Sequence, residues 1–142
     1  MKIGIINGPN LNLLGKREPG VYGSQGFDDY LQTLINLYPE ISFFAVQSNI
    51  EGELINFLHA MDQQCDGIIM NPAGYTHTSV AIGDAIAAIS TPVVEVHISN
   101  TASRETFRHI SHVSAKAKGT IIGLGLKGYE LALLYLLDYL KQ

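Results

Sequence analysis

The stretch GIIMNPAGYTHTSVAIGDAIAAISTPVVEVHI, Gly67 to Ile98, carries the architecture. Gly67 to Met70 and Val93 to Ile98 are short apolar runs of the length of a buried strand. Between them, about Thr78 to Ile89 is apolar or small almost all round, and Pro92 stops it. This reads as a helix with more than one face covered. A strand, a helix and a second strand in succession place the two strands parallel, joined by a right-handed crossover. Similar apolar runs lie at Lys2 to Ile6, Ile41 to Val46 and Thr120 to Leu124. Between these runs, Phe27, Tyr30, Leu31, Leu34, Ile35 and Tyr38 form one stripe of helical period, and Ile50, Leu54, Phe57, Leu58 and Met61 form another. A short helix is expected from about Ala102 to His109 and a last one from about Gly128 to Lys141. The expectation is therefore an α/β fold: a five-stranded parallel sheet, doubly wound, with helices on both faces.

At 142 residues the chain is read as one domain, residues 1–142, able to bury roughly two thirds of its unfolded surface. Hydrophobic residues make up 46% and charged residues 15%, which excludes disorder and leaves little charge for a fully solvated surface. Some outer faces are expected to be covered by other copies of the chain. A net charge of −4 offers no basic footprint for nucleic acid or an anionic membrane. No run reaches the ~18 apolar residues of a membrane span, and the lone Cys65 reads as a small core residue. A cytoplasmic protein is expected.

In a doubly wound sheet ligands sit beyond the carboxyl ends of the strands, so the segments that follow the strands carry the functional reading. The first, from Gly8 to about Gly26, is far longer than the ~2 to 6 residues usual for such a connection. It reads as a binding loop or lid, or as a mobile surface loop. It holds Arg17 and Tyr22 between glycines, and a guanidinium near a phenol favours the phenolate. The other two of the three arginines, Arg104 and Arg108, stand four apart, which suits a fork for an anionic or hydroxylated ligand or a solvated helix face. Alternation along Glu95-Val96-His97 puts Glu95 and His97 on one side of their strand, where the carboxylate can fix the imidazole tautomer. A structural histidine is the plainer alternative. The backbone N–H groups of Ile98 and Ser99 offer a place for a carboxylate. Gly123 to Gly128, GLGLKG, matches a dinucleotide fingerprint, but only 14 residues follow it, so close helix packing is the preferred reading. His109 and His112 lack the further ligands a metal site needs.

Five blocks together, NGPNLNLLGKREPGVYG (Asn7 to Gly23), QSNIEGELI (Gln47 to Ile55), NPAGYTHTSVAI (Asn71 to Ile82), EVHISN (Glu95 to Asn100) and GLGLKGY (Gly123 to Tyr129), resemble type II 3-dehydroquinate dehydratase over nearly the whole chain. The resemblance implies a flavodoxin-like fold, a dodecamer built from trimers, and no cofactor. It implies the reversible dehydration of 3-dehydroquinate to 3-dehydroshikimate, in the shikimate pathway or in quinate catabolism. By similarity Tyr22 is the base that takes the C2 proton, Arg17 depresses its pKa, and Asn10 helps to stabilise the enolate through a water. His97, oriented by Glu95, protonates the departing hydroxyl. Asn71, Ile98 and Ser99 hold the substrate, the last two through its carboxylate. His77 and Arg108 take ring hydroxyls, Arg104 closes near the lid of residues 15–23, and Asp84 reaches a neighbouring subunit's site.

The chain departs from the family pattern at Gly83, where an Arg is common, and at Asn56, Ile110 and His112. The competing reading is a non-enzymatic flavodoxin-like module that binds FMN or a phosphoryl group at the same sheet end. Against it, Asn7, Asn10 and Asn71 stand where a receiver-type module wants acidic residues. A third reading, a purely structural assembly protein, would leave Arg17, Tyr22 and His97 without a task.

Overall fold

In the computed structural model, which describes residues 1–16, 20 and 24–142, five parallel strands form one sheet. They are β1 (Lys2–Asn7), β2 (Ser42–Gln47), β3 (Gly67–Asn71), β4 (Val93–His97) and β5 (Gly119–Ile122), in the order β2-β1-β3-β4-β5. This is the flavodoxin-like order. Among the described residues four α-helices accompany them: α1 (Phe27–Leu37), α2 (Glu51–Asp62), α3 (Val80–Ala88) and α4 (Lys127–Tyr139).

Side chains alternate along each strand, and that alternation builds two separate cores. Ile3, Ile5, Ile69, Val94 and Val96 face α1 and α4, meeting Leu34 and Leu133. Ile6, Ile68, Met70 and Val93 face α2 and α3, meeting Leu54, Leu58, Ile82 and Ile86. Cys65 is buried in this second core, as its sequence context suggested.

Three expectations change in detail. β5 ends at Ile122 because Gly123 and Gly125, at φ +84° and +61°, turn the chain out of the sheet. Gly128 then brings α4 against β4 and β5, where an added Cβ would sit 3.2 Å from Val96 and 3.4 Å from Ile121. The glycines of GLGLKG thus serve turning and close packing. No helix spans Ala102 to His109; two 3-10 turns, Thr101–Ser103 and Thr106–His109, flank an extended Arg104. The reason is local: the Asn100 side chain accepts from Ala102 N at 3.2 Å and Ser103 Oγ donates to Asn100 O at 2.8 Å, bonds that compete with helix propagation. Finally, one chain covers only one face of α3. Ile82, Gly83, Ala85 and Ile86 are buried there, while Val80, Ala81, Ala87 and Ala88 are exposed.

Gly83 has a definite structural task. An added Cβ would lie 2.2 Å from the carbonyl oxygen of His112, whose N–H is tied to Thr76 O at 2.9 Å. The next residue, Val113, is fully buried in the α2/α3 core, so the segment cannot simply swing away. Gly83→Ala gains ~1 kcal/mol of helix propensity. The forced backbone shift costs ~1 to 3 kcal/mol and outweighs it. A thermal midpoint below that of the parent is the expected outcome; a raised midpoint would show that the His112 segment yields freely.

Candidate active site

The strand order reverses between β1 and β3, and a cleft of about 130 Å³ opens beyond their carboxyl ends. Asn7 and Asn71, the last residues of β1 and β3, are directly paired in register. Leu11, Leu13 and Leu14 form an apolar wall, and Asn10, Asn71, His77, His97, Arg104 and Arg108 supply the polar groups. The two non-glycine residues of positive φ among the described residues, Asn10 (φ 68°) and Ala73 (φ 53°), both line this cleft. Backbone strain of this kind concentrates at functional sites. Asn10 is braced by a hydrogen bond from its N–H to Asn49 Oδ1 at 3.0 Å.

β4 delivers Glu95 and His97 on one side, as the alternation required. His97 Nε2 lies 2.6 Å from Glu95 Oε1. Glu95 is fully buried, and its other oxygen accepts from Ser114 Oγ at 2.5 Å and Thr120 Oγ1 at 3.1 Å. Burial alone would raise the Glu95 pKa. The hydrogen bonds from His97, Ser114 and Thr120 outweigh burial and hold the carboxyl below its ordinary value. An ionised Glu95 accepts from Nε2–H, which leaves Nδ1 of His97 as the nitrogen for proton exchange.

The His77 ring stacks near that of His97, with centroids 6.3 Å apart, and its Nδ1 donates to Ile110 O at 2.7 Å. Burial lowers the His77 pKa, and the neighbouring His97 and Arg108 push the same way against the Ile110 hydrogen bond. His77 is therefore neutral near pH ~7, with Nε2 an acceptor suited to a hydroxyl.

Arg104 and Arg108 do converge, although through turns rather than along one helix. Arg108 Nε donates to Glu105 Oε2 at 2.7 Å, and Arg104 Nε stands 3.8 Å from the same oxygen. Arg104 also donates to Ser99 Oγ at 3.1 Å. Ile98 lines the cleft and Ser99 lines a shallower cavity beside it. Asp84 is exposed on α3 and does not line its own chain's cleft. Arg17 and Tyr22 lie outside the described residues, as do residues 18, 19, 21 and 23 of the expected lid.

A model of the family described as Dehydroquinase class II matches residues 1–137. The chain belongs to that family. Among curated relatives of this class II dehydroquinase chain, the 3-dehydroquinate dehydratase of Fusobacterium nucleatum is 54% identical, with both chains covered completely. Two solved structures are close in shape. The type II dehydroquinase of Butyrivibrio crossotus has a TM-score of 0.90 at 47% identity, covering 96% of this chain and 97% of its own. That of Propionibacterium acnes also has a TM-score of 0.90, at 44% identity, covering 95% and 94%.

Sequence reasoning missed the residues that surround Glu95 in this dehydroquinase. Thr120 was findable, because it pairs with Glu95 across β4 and β5. Ser111 and Ser114 carry no local signal. They reach Glu95 only through a loop whose path depends on Val113 entering the core.

Proposed function

We propose that this chain is a 3-dehydroquinate dehydratase, a hydro-lyase that converts 3-dehydroquinate to 3-dehydroshikimate and water through an enolate, without a cofactor. Its role is in the shikimate pathway or in quinate catabolism. Residues 1–142 act as one catalytic domain, with residues 15–23 as its lid. The observation that carries this reading is the buried Glu95–His97 pair opening into the cleft of a chain matched by the family over residues 1–137.

β-Elimination next to a ketone needs a base at carbon, a stabiliser for the enolate oxygen and an acid at the leaving oxygen. Tyr22, as phenolate beside Arg17, takes the C2 proton. The electron pair moves to the carbonyl oxygen, which Asn10 stabilises through a water. As the enolate collapses, the C1–oxygen bond breaks, and His97 delivers a proton so that water leaves. Glu95 stabilises the imidazolium that precedes this transfer, as buried carboxylates do beside catalytic histidines. The backbone N–H groups of Ile98 and Ser99 take the carboxylate. Asn71 holds the substrate, His77 and Arg108 take its ring hydroxyls, Arg104 closes the lid side, and Asp84 serves the site of a neighbouring subunit. Closure of the lid over the cleft excludes water during the enolate stage.

The assembly is a dodecamer built from trimers, in the cytoplasm. Its support is the low charge content, the exposed apolar residues of α3 and the exposure of Phe107 and Ile110 beside the cleft. Among the described residues no helix is long and apolar enough to cross a membrane.

Proton NMR of 3-dehydroquinate incubated with the purified protein tests the reading. The vinyl proton of 3-dehydroshikimate should grow in as the C2 protons are lost. Unchanged substrate in the presence of folded, oligomeric protein would move the chain to the non-enzymatic binding class.

A further inference from the structure

Tyr129, on the first turn of α4, is fully buried, and its hydroxyl is placed at the end of the sheet rather than in solvent. It donates to Asn7 Oδ1 at 2.7 Å and accepts from Asn71 Nδ2 at 3.2 Å. The directions are forced. Burial raises the phenol pKa, so the group stays protonated; the Ala73 N–H can only donate and holds Asn71 Oδ1, so Nδ2 faces the hydroxyl, whose single hydrogen goes to Asn7 Oδ1. Only a lone pair is left for Asn71. At the other end of the same amide, Oδ1 accepts from Ala73 N at 3.1 Å. Turning the Asn71 amide over would set NH₂ against the Ala73 N–H and an oxygen against a hydroxyl that has no hydrogen to give.

We propose that Tyr129 is a positioning residue: through the polarity of its hydroxyl it fixes which edge of the Asn71 amide faces Ala73 and which faces inward, and so what Asn71 offers to a ligand in the cleft. A phenylalanine would satisfy the packing, including the contact with Phe27 at 5.0 Å between ring centroids, but not the two amides. Asn7 shares in the device without lining the cleft, because it is the acceptor that commits the tyrosine hydrogen. Asn71 retains one N–H and one oxygen lone pair for a ligand.

This inference rests on the dehydratase reading only for the identity of that ligand. The test compares Tyr129→Phe with Leu133→Ala, a variant in the same helix and core that touches neither amide. Because Asn71 binds substrate in ground and transition states alike, Tyr129→Phe should raise KM about tenfold while kcat changes less than about threefold. Leu133→Ala should lower the thermal midpoint at least as much, with KM unmoved. An unchanged KM in Tyr129→Phe, or an equal KM increase in Leu133→Ala, overturns the positioning role. If the parent does not turn over 3-dehydroquinate, the functional reading fails on its own. The positioning claim is then decided by a neutron crystal structure of Tyr129→Phe, in which the amide hydrogens distinguish nitrogen from oxygen. A turned or doubly occupied Asn71 amide supports it, and an amide still fixed on Ala73 N overturns it.

Discussion

Tyr22→Phe should lower kcat by about a thousandfold or more while leaving KM within a few-fold of the parent, since a general base contributes ~10² to 10⁴ and acts only in the transition state. The phenol of an ordinary tyrosine, with a pKa of ~10, is ionised in only about one molecule in a thousand at neutral pH. In the proposed mechanism Arg17 raises this fraction, by favouring the negative phenolate. Phenylalanine keeps the ring and removes the base altogether, and nothing else in the mechanism can take the C2 proton. Arg17→Met should retain part of the activity and move the alkaline rise of kcat to higher pH, because the phenol then titrates nearer its ordinary value. A Tyr22→Phe enzyme of parental rate would place the base elsewhere.

Glu95→Gln is expected to lower kcat by roughly 10² to 10³, less than removal of the base but more than a packing change produces. The amide can still accept from His97 Nε2–H and meet the Ser114 and Thr120 hydroxyls, so the geometry survives. The negative charge that makes the imidazolium favourable does not. The same substitution has a pH signature in stability. Glu95 is held below its ordinary value in the folded chain. Its contribution is therefore complete above the unfolded carboxyl value of ~4.3, and is lost as pH falls through the lower folded value. Thermal midpoints of the parent should fall more steeply with acid than those of Glu95→Gln. Parallel curves would mean that the fold does not lower the Glu95 pKa.

Much of this fold was legible in the chain because local and long-range preferences agree. Buried parallel strands need apolar runs, the crossover rule leaves little freedom in connecting them, and the order β2-β1-β3-β4-β5 follows the family resemblance. The segment after β4 misled because its Asn and Ser side chains bond locally, which periodicity does not register. In the site, Glu95 and His97 could be paired by alternation alone, and Asn71 and His77 by resemblance. The hydroxyls of Ser111 and Ser114, and the Tyr129 link between Asn7 and Asn71, were invisible. Each depends on side chains brought together across sequence separations that only the packed core sets. Gly83 read as the loss of a family arginine; the close approach of the His112 carbonyl gives it a reason.

The decisive measurement is a continuous ultraviolet assay of 3-dehydroquinate with catalytic amounts of chelator-treated protein and no added cofactor, following absorbance of the conjugated enone. Many turnovers per active site are expected in the parent, with loss of nearly all of the signal in Tyr22→Phe. A folded, oligomeric parent that yields no enone would contradict the dehydratase reading.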